Sequence, residues 1–201
     1  MKPLAAGRAS SVYELDDRRV LRLGGDPERE ARLMTCARAA GYPVPAVHEV
    51  RPDGLVLERI HGSTMLDDLR RRPWRLRKLA LLLASLHERL HAIPYEDASL
   101  LHLDLHPDNV LLSPSGPVVI DWTNAGSGPP AVDVALTWTI LETSGGLSGR
   151  AFARFFLAAF DREELRQALP AAAAFRTADP NVTEVERAAV RALLARHRPD
   201  V

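Results

Sequence analysis

The run His102-Leu103-Asp104-Leu105-His106-Pro107-Asp108-Asn109, continued through Val110-Leu111-Leu112, Ser113-Pro114-Ser115-Gly116 and Pro117-Val118-Val119-Ile120 to Asp121-Trp122, decides how the rest of the chain is read. Two short apolar runs flank a Ser-Pro-Ser-Gly turn, the pattern of a small β-hairpin. Asp104 and Asn109 precede the hairpin and Asp121 follows its second strand. The loop before a hairpin and the residue after it lie close in space, so the spacing can converge the three groups. Any one of them is ordinary in a turn; their order and spacing together form the signal.

Upstream of this run the texture is strand-rich. Residues 11–15 read as a strand, Asp16-Asp17 as a turn and residues 20–23 as the returning strand. Asp26-Pro27 starts a helix, with Asp as N-cap and Pro at the first helical position. It carries Leu33, Met34 and Ala37 and stops at Gly41, and Pro43 and Pro45 prevent its continuation. Residues 46–50 and 55–58 read as strands around Pro52-Asp53-Gly54. After Gly62 the period becomes helical: 64–72, then 75–92 with the stripe Leu79, Leu82, Leu83, Leu86 and Leu90, and beyond the hairpin 131–143, 148–160, 161–169 and 183–197. The expected architecture is α+β, a strand-rich lobe over 1–60 and a helical lobe over 61–201.

The 201 residues suffice for one domain or two small lobes sharing a core. Lys+Arg and Asp+Glu both number 26, so the zero net charge removes the general electrostatic case for nucleic-acid or anionic-membrane binding. The single cysteine, Cys36, rules out an internal disulfide and a Cys-based zinc site. Residues 1–8 lack the apolar run of a signal peptide, and no stretch approaches the roughly 20 apolar residues of a membrane span. A soluble cytoplasmic protein is expected. Its basic residues are nearly all arginine: Lys2 and Lys78 are the only lysines.

Asp104, Asn109 and Asp121 are the residue types that phosphoryl transfer from a nucleotide requires. One carboxylate orients an attacking hydroxyl and accepts its proton; an amide oxygen and a second carboxylate hold Mg²⁺ on the phosphates. The protein-kinase pattern H-R-D-L-x-x-x-N followed by a metal-binding Asp is met, except that Leu103 stands in place of Arg.

With His106 and Pro107 included, the run resembles the aminoglycoside phosphotransferase / choline kinase-like family, whose loop reads roughly H-x-D-x-H-x-x-N with I-D-[WF] after the hairpin. Ile120-Asp121-Trp122 fits that pattern, and Pro130-Ala131-Val132-Asp133-Val134-Ala135 is similar to the family's P-x-x-D-[LV]-A segment. The resemblance implies a protein-kinase-like two-lobed fold and transfer of phosphate from ATP or GTP to a hydroxyl of a small molecule. It implies Asp104 as catalytic base, Asn109 and Asp121 as Mg²⁺ ligands, and His102 and Asp133 as braces of the loop. Only 80 residues follow Asp121. The acceptor-binding helices are therefore abbreviated, implying a small or open acceptor site or completion by a second subunit, as in a homodimer.

The N-terminal lobe adds to this. Gly7-Arg8-Ala9-Ser10-Ser11-Val12-Tyr13 looks like the family's nucleotide loop, G-x-x-S-x-V-Y, where Gly7, Ser10 and Ser11 would let backbone N–H groups approach phosphate oxygens. By position the phosphate-holding cation is Arg22 and its acidic partner Glu30, with Glu28 the alternative. Arginine in place of the usual lysine keeps the charge but changes the shape. It leaves open a second reading, a pseudokinase that binds nucleotide or a partner without transfer. Glu58, Arg59 and Ile60 occupy the hinge whose backbone meets the purine edge in that family.

Three other features compete for attention. His87-Glu88-Arg89-Leu90-His91 is a literal H-E-x-x-H on a helix, the signature of a zinc hydrolase, although no third His follows at metzincin spacing. Arg70, Arg71, Arg72, Arg75, Arg77 and Lys78 form a basic cluster, read as a solvated face or as a contact for an anionic partner. Trp74 and Trp138 read as core, as does the stripe Phe152, Phe155, Phe156 and Phe160, which could also line an acceptor pocket.

Overall fold

The structure, a computed structural model, describes residues 2–6 and 11–197. Five antiparallel strands form the N-terminal sheet: β1 (Lys2–Ala6), β2 (Ser11–Glu14), β3 (Arg19–Leu23), β4 (Val47–Arg51) and β5 (Gly54–Glu58), in the order β1-β2-β3-β5-β4. β5 reads Gly-Leu-Val-Leu-Glu because it lies between two neighbours and is buried for most of its length. At Gly54 a Cβ would run into the Arg22 carbonyl, so this strand approaches β3 as only glycine allows. Strand β1 was not foreseen.

Between β3 and β4 runs α1 (Pro27–Ala39). The Asp26 side chain accepts from Arg29 N at 3.1 Å, Pro27 supplies the preset first turn, and Gly41 leaves the helix at φ 75°. Its buried face, Leu33, Met34 and Ala37, joins Leu55 and Leu57 of the sheet. This places Glu30, one turn earlier, beside Arg22.

The remainder is mainly helical. A short strand, β6 (Ser63–Thr64), leads into α2 (Met65–Arg71), whose N-terminus is capped by Thr64 Oγ1 accepting from Asp67 N at 3.1 Å. α3 (Leu76–His91) follows, then β7 (Pro94–Tyr95) and β8 (Ala98–Leu101). The hairpin expected from the sequence is β9 (Val110–Ser113) and β10 (Gly116–Val119), with β6 alongside β9. β11 (Gly126–Gly128) pairs with β8. Then come α4 (Pro130–Ser144), α5 (Gly146–Phe156), α6 (Arg162–Ala178) and α7 (Glu184–Arg196). α4 is apolar on nearly all sides, so it is a central helix, and α5, α6 and α7 pack against it. No helix among the described residues is long and apolar enough to cross a membrane.

Three expectations are corrected. α6 does not end at residue 169 but runs on through Pro170. Pro170 is exposed, so the backbone bond it forfeits lies at the surface, while Leu165, Leu169, Ala172 and Ala173 bury the inner face. Trp74 is not core: it is 77% exposed in the single turn before α3. In the phenylalanine stripe, Phe152 and Phe156 are fully buried, Phe160 packs half-buried on the core, and Phe155 faces outward. One apolar cluster runs from Leu33 and Leu55 of the sheet half through Met65, Leu83 and Trp122 to Leu193 of α7.

Candidate active site

The loop over 102–109 is held from beneath. The Asp133 side chain, fully buried on α4, accepts Leu103 N at 2.7 Å and His102 N at 3.1 Å. Leu103 is fixed at φ 58°, a conformation a Leu adopts only when its surroundings impose it. His102, also fully buried, donates through Nε2 to Ile120 O at 3.1 Å and meets the Trp122 ring edge-on at 5.1 Å. Trp122 Nε1 in turn donates to Val119 O at 3.1 Å. The loop is thereby tied to the strand end that presents Asp121, itself at φ 62°.

Asp104 projects from this loop. Asn109 Nδ2 donates to its carbonyl at 2.8 Å and to its Oδ2 at 3.1 Å, while His106 Nε2 stands 3.6 Å from Oδ1. Burial pushes the Asp104 carboxyl up, but His106, with His102 and Arg176 adding charge, more than offsets it, and the pKa lies below the ordinary aspartate value. Because Asn109 uses its nitrogen on Asp104, its amide oxygen remains as an acceptor.

Asp121 Oδ1 accepts from Thr123 Oγ1 at 2.7 Å and lies 3.2 Å from Arg22 NH2. Arg22 NH1 pairs with Glu30 Oε2 at 2.7 Å, and its NH2 also bonds Thr123 Oγ1. Arg22 and Glu30 are 5% and 1% exposed, so this is a buried pair; Glu28, the alternative partner, is exposed. Burial raises the Glu30 carboxyl pKa and Arg22 only partly opposes it. Gly25, at φ 75°, leaves room for Glu30, because a Cβ there would run into its Oε1.

A cavity of about 660 Å³ opens at this point. Asp104, Asn109 and Asp121 are on its wall, and the far side is built from α4 to α7: Ile140, Ser148, Phe152, Arg176, Asp179 and Glu186 among others. Among the described residues, those assigned to the nucleotide are not on that wall. Ser11 begins β2; Gly7 and Ser10 lie outside the described residues. Glu58 spends its carboxylate on Ala46 N at 3.0 Å, and Arg59 pairs with Glu14 at 2.8 Å. The N–H groups of Glu58 and Arg59 are bonded to Ala46 O and Arg18 O, which leaves the Ile60 N–H free among the described residues.

Several contributors were not read from the sequence. Thr123 links Asp121 to Arg22; its place two residues after Asp121 was the available signal. Arg29 holds the backbone of Thr123 and Ala125 from α1. Arg176 comes from a helix far along the chain and carries no local signature. The H-E-x-x-H residues do not assemble as in a zinc hydrolase: His87 and His91 turn inward to Asp133, while Glu88 is exposed.

Residues 88–175 match the Phosphotransferase enzyme family, and residues 13–127, more than half of the chain, match the RIO domain. Among curated proteins, the chain is 32% identical over 137 residues to the probable serine/threonine-protein kinase BUD32 homolog of Archaeoglobus fulgidus, covering 66% of this chain and 63% of the relative. It is 38% identical over 73 residues to the thiamine kinase of Salmonella newport, covering 36% of this chain and 24% of that protein. The chain thus spans less than two thirds of the length of either relative. Among solved structures, a thermostable mutant of the aminoglycoside phosphotransferase APH(4)-Ia gives a TM-score of 0.73 at 15% identity, over 99% of this chain and 95% of that one. A choline/ethanolamine kinase family protein from Mesorhizobium loti gives 0.62 at 16% identity, over 96% and 85%. At these identities the likeness establishes the fold, a protein-kinase-like α+β architecture with an antiparallel N-terminal sheet.

Proposed function

The chain belongs to the protein-kinase-like phosphotransferases that the RIO-domain and Phosphotransferase-enzyme-family matches describe, and from that premise we propose that it moves the γ-phosphate of ATP or GTP to a hydroxyl of a small molecule. The observation that carries this reading is the common wall: Asp104, Asn109 and Asp121 face one cavity whose opposite side is made by α4 to α7. A walled cavity suits a small acceptor better than an extended peptide.

In this mechanism the acceptor hydroxyl lies against Asp104. Its oxygen attacks the γ-phosphorus in line as the bond to the β-phosphate oxygen breaks, releasing the nucleoside diphosphate. The hydroxyl proton passes to the Asp104 carboxylate. A carboxylate held below its ordinary pKa is a weak base, which suits a loose transition state in which the proton leaves late. Asn109 keeps the carboxylate turned to the hydroxyl, and Asp133 keeps the loop beneath it in place.

Mg²⁺ fits the donor set. The Asn109 amide oxygen and Asp121 Oδ2 are hard oxygen donors with no hydrogen bond to another described residue, and both belong to residues on the cavity wall. When bound, such an ion supplies neutralisation of charge on the phosphate oxygens. Arg22, oriented by Glu30, would hold the α- and β-phosphates.

One observation favours the pseudokinase reading: Arg22 is engaged by both Glu30 and Asp121 before any phosphate arrives. A coupled assay of nucleoside diphosphate release separates the two readings. ATP and GTP are each offered with aminoglycosides, choline-like amines, thiamine and sugars. Acceptor-dependent release, reduced about 10²–10⁴-fold in Asp104→Ala with nucleotide affinity retained, is the expected result. Release unchanged by Asp104→Ala, or nucleotide binding without release for every acceptor, overturns the transferase reading.

A further inference from the structure

His87 and His91 lie four residues apart on α3 and therefore on one face. Both turn to the same oxygen of Asp133: His91 Nε2 is 2.9 Å and His87 Nδ1 3.6 Å from Oδ2. One ligand atom from each of the three residues lies within 4.8 Å of the others.

The surrounding hydrogen bonds favour the Nε2–H form of His87. Thr137 Oγ1 donates to a carbonyl, Leu105 O at 2.7 Å, so it accepts from His87 Nε2 at 3.1 Å; Leu105 O, 3.4 Å from Nε2, is also an acceptor. The Nε2 atom thus carries the hydrogen. In the neutral ring, Nδ1 is then a bare lone pair, and it is buried without a hydrogen-bond partner. It faces a carboxylate oxygen, so two lone pairs oppose each other with nothing between them. A cation between them turns that repulsion into attraction. A proton could play that part only by charging a ring that is fully buried.

We propose that His87, His91 and Asp133 form a structural zinc site beneath the catalytic loop. Two imidazoles and a carboxylate suit a borderline divalent ion. Donors about 2.0–2.1 Å from a tetrahedral zinc lie about 3.3–3.4 Å apart; the two separations to Asp133 Oδ2, 2.9 and 3.6 Å, bracket that value, and the two histidine nitrogens, within 4.8 Å of each other, would close on the ion. The fourth position falls to water, reaching the site past His91, whose side chain is 8% exposed. Glu88 is exposed, so it cannot serve as the base of a hydrolase, and the ion's role is to hold. Asp133 would still accept His102 N and Leu103 N, so the ion would lock the carboxylate that braces the loop carrying Asp104.

The test uses tag-free full-length protein, stripped with chelator and titrated with zinc chloride against a chromophoric competitor. One equivalent per chain is expected for the wild type and for Glu88→Gln. His91→Gln, whose amide can still donate to Asp133, is expected to lose it. At about a hundredfold excess over Kd, wild-type Tm should rise by about 5–10 °C. No stoichiometric uptake by the wild type, or full uptake by His91→Gln, overturns the proposal. If His91→Gln does not fold, cobalt substitution of the wild type decides: strong visible bands of a tetrahedral ion support the site, and a weak octahedral spectrum overturns it.

Discussion

Arg22 NH2 lies 3.2 Å from Asp121 Oδ1 across 99 positions of sequence, while NH1 of the same guanidinium lies 2.7 Å from Glu30 Oε2. One buried cation thus connects β3, α1 and the segment after β10. A lysine could not fork onto both carboxylates in this way. Removing the cation alone strands Glu30, which is 1% exposed. Arg22→Met should therefore destabilise the protein by about 3–5 kcal/mol. The double variant Arg22→Met with Glu30→Leu should recover much of that loss, since no unpaired charge remains buried. Urea unfolding of the single and double variants checks this; strictly additive losses would remove the argument.

Arg176 offers a second handle. Its Nε is buried without a partner, its NH2 stands 3.5 Å from Glu186, and it lines the cavity opposite Asp104. Arg176→Gln should raise the acceptor KM by about tenfold, the loss of one charged hydrogen bond, while leaving nucleotide Kd unchanged. Steady-state kinetics with both substrates varied would show the split. A change confined to the nucleotide would place the acceptor elsewhere.

Acid stability should fall in two steps. His102 is fully buried and burial holds its pKa below 6.5. The unfolded chain binds a proton near 6.5 that the folded chain refuses, so stability is complete above that pH and declines below it. Asp133 has the opposite charge type: burial would raise its pKa, but the two histidines turned to it, His87 and His91, bring it well below 3.8. Its contribution is present above about pH 4 and is lost as pH falls further. Urea midpoints measured from pH 8 to pH 3 in chelator should show both declines. His102→Gln should reduce the first, the remainder belonging to the equally buried His87, and Asp133→Asn should flatten the second; a wild-type curve flat between pH 7 and 5 would contradict the first.

The two tryptophans separate cleanly. Trp74→Ser should change stability by less than about 0.5 kcal/mol, because that side chain is 77% exposed. Trp138→Ala, at a site 3% exposed, should cost about 3–5 kcal/mol. Thermal unfolding of both variants is the check, and equal costs would mean Trp74 is covered in solution.

What could be read from the sequence was what local chemistry encodes. The Asp26-Pro27 start of α1, the β9–β10 hairpin and the order Asp104, Asn109, Asp121 all announce themselves by turn residues and period. The Arg22–Glu30 pairing followed from position along the chain. What stayed hidden depends on long-range packing. Trp74 is the exception, because Arg70, Arg71, Arg72 and Arg75 around it are a local signal of exposure, whereas Trp138 has Leu136, Ile140 and Leu141 beside it. Pro170 signals a stop, but burial of Leu165, Leu169, Ala172 and Ala173 overrides it. Arg176 reaches the cavity only because α6 packs on α4. The H-E-x-x-H pattern directed attention to Glu88, whereas the carboxylate that meets the two histidines is Asp133, 42 positions beyond His91.

The apolar cluster that joins Leu33 and Leu55 to Met65, Trp122 and Leu193 bears on how the molecule comes apart. The sheet half and the helical half do not each own an interior. Opening the seam near Gly62 would expose the inner faces of both, so neither half can melt ahead of the other. Heat or denaturant should then dismantle the chain in one cooperative transition. A backbone cut at the seam would leave two pieces that regain order only in each other's presence.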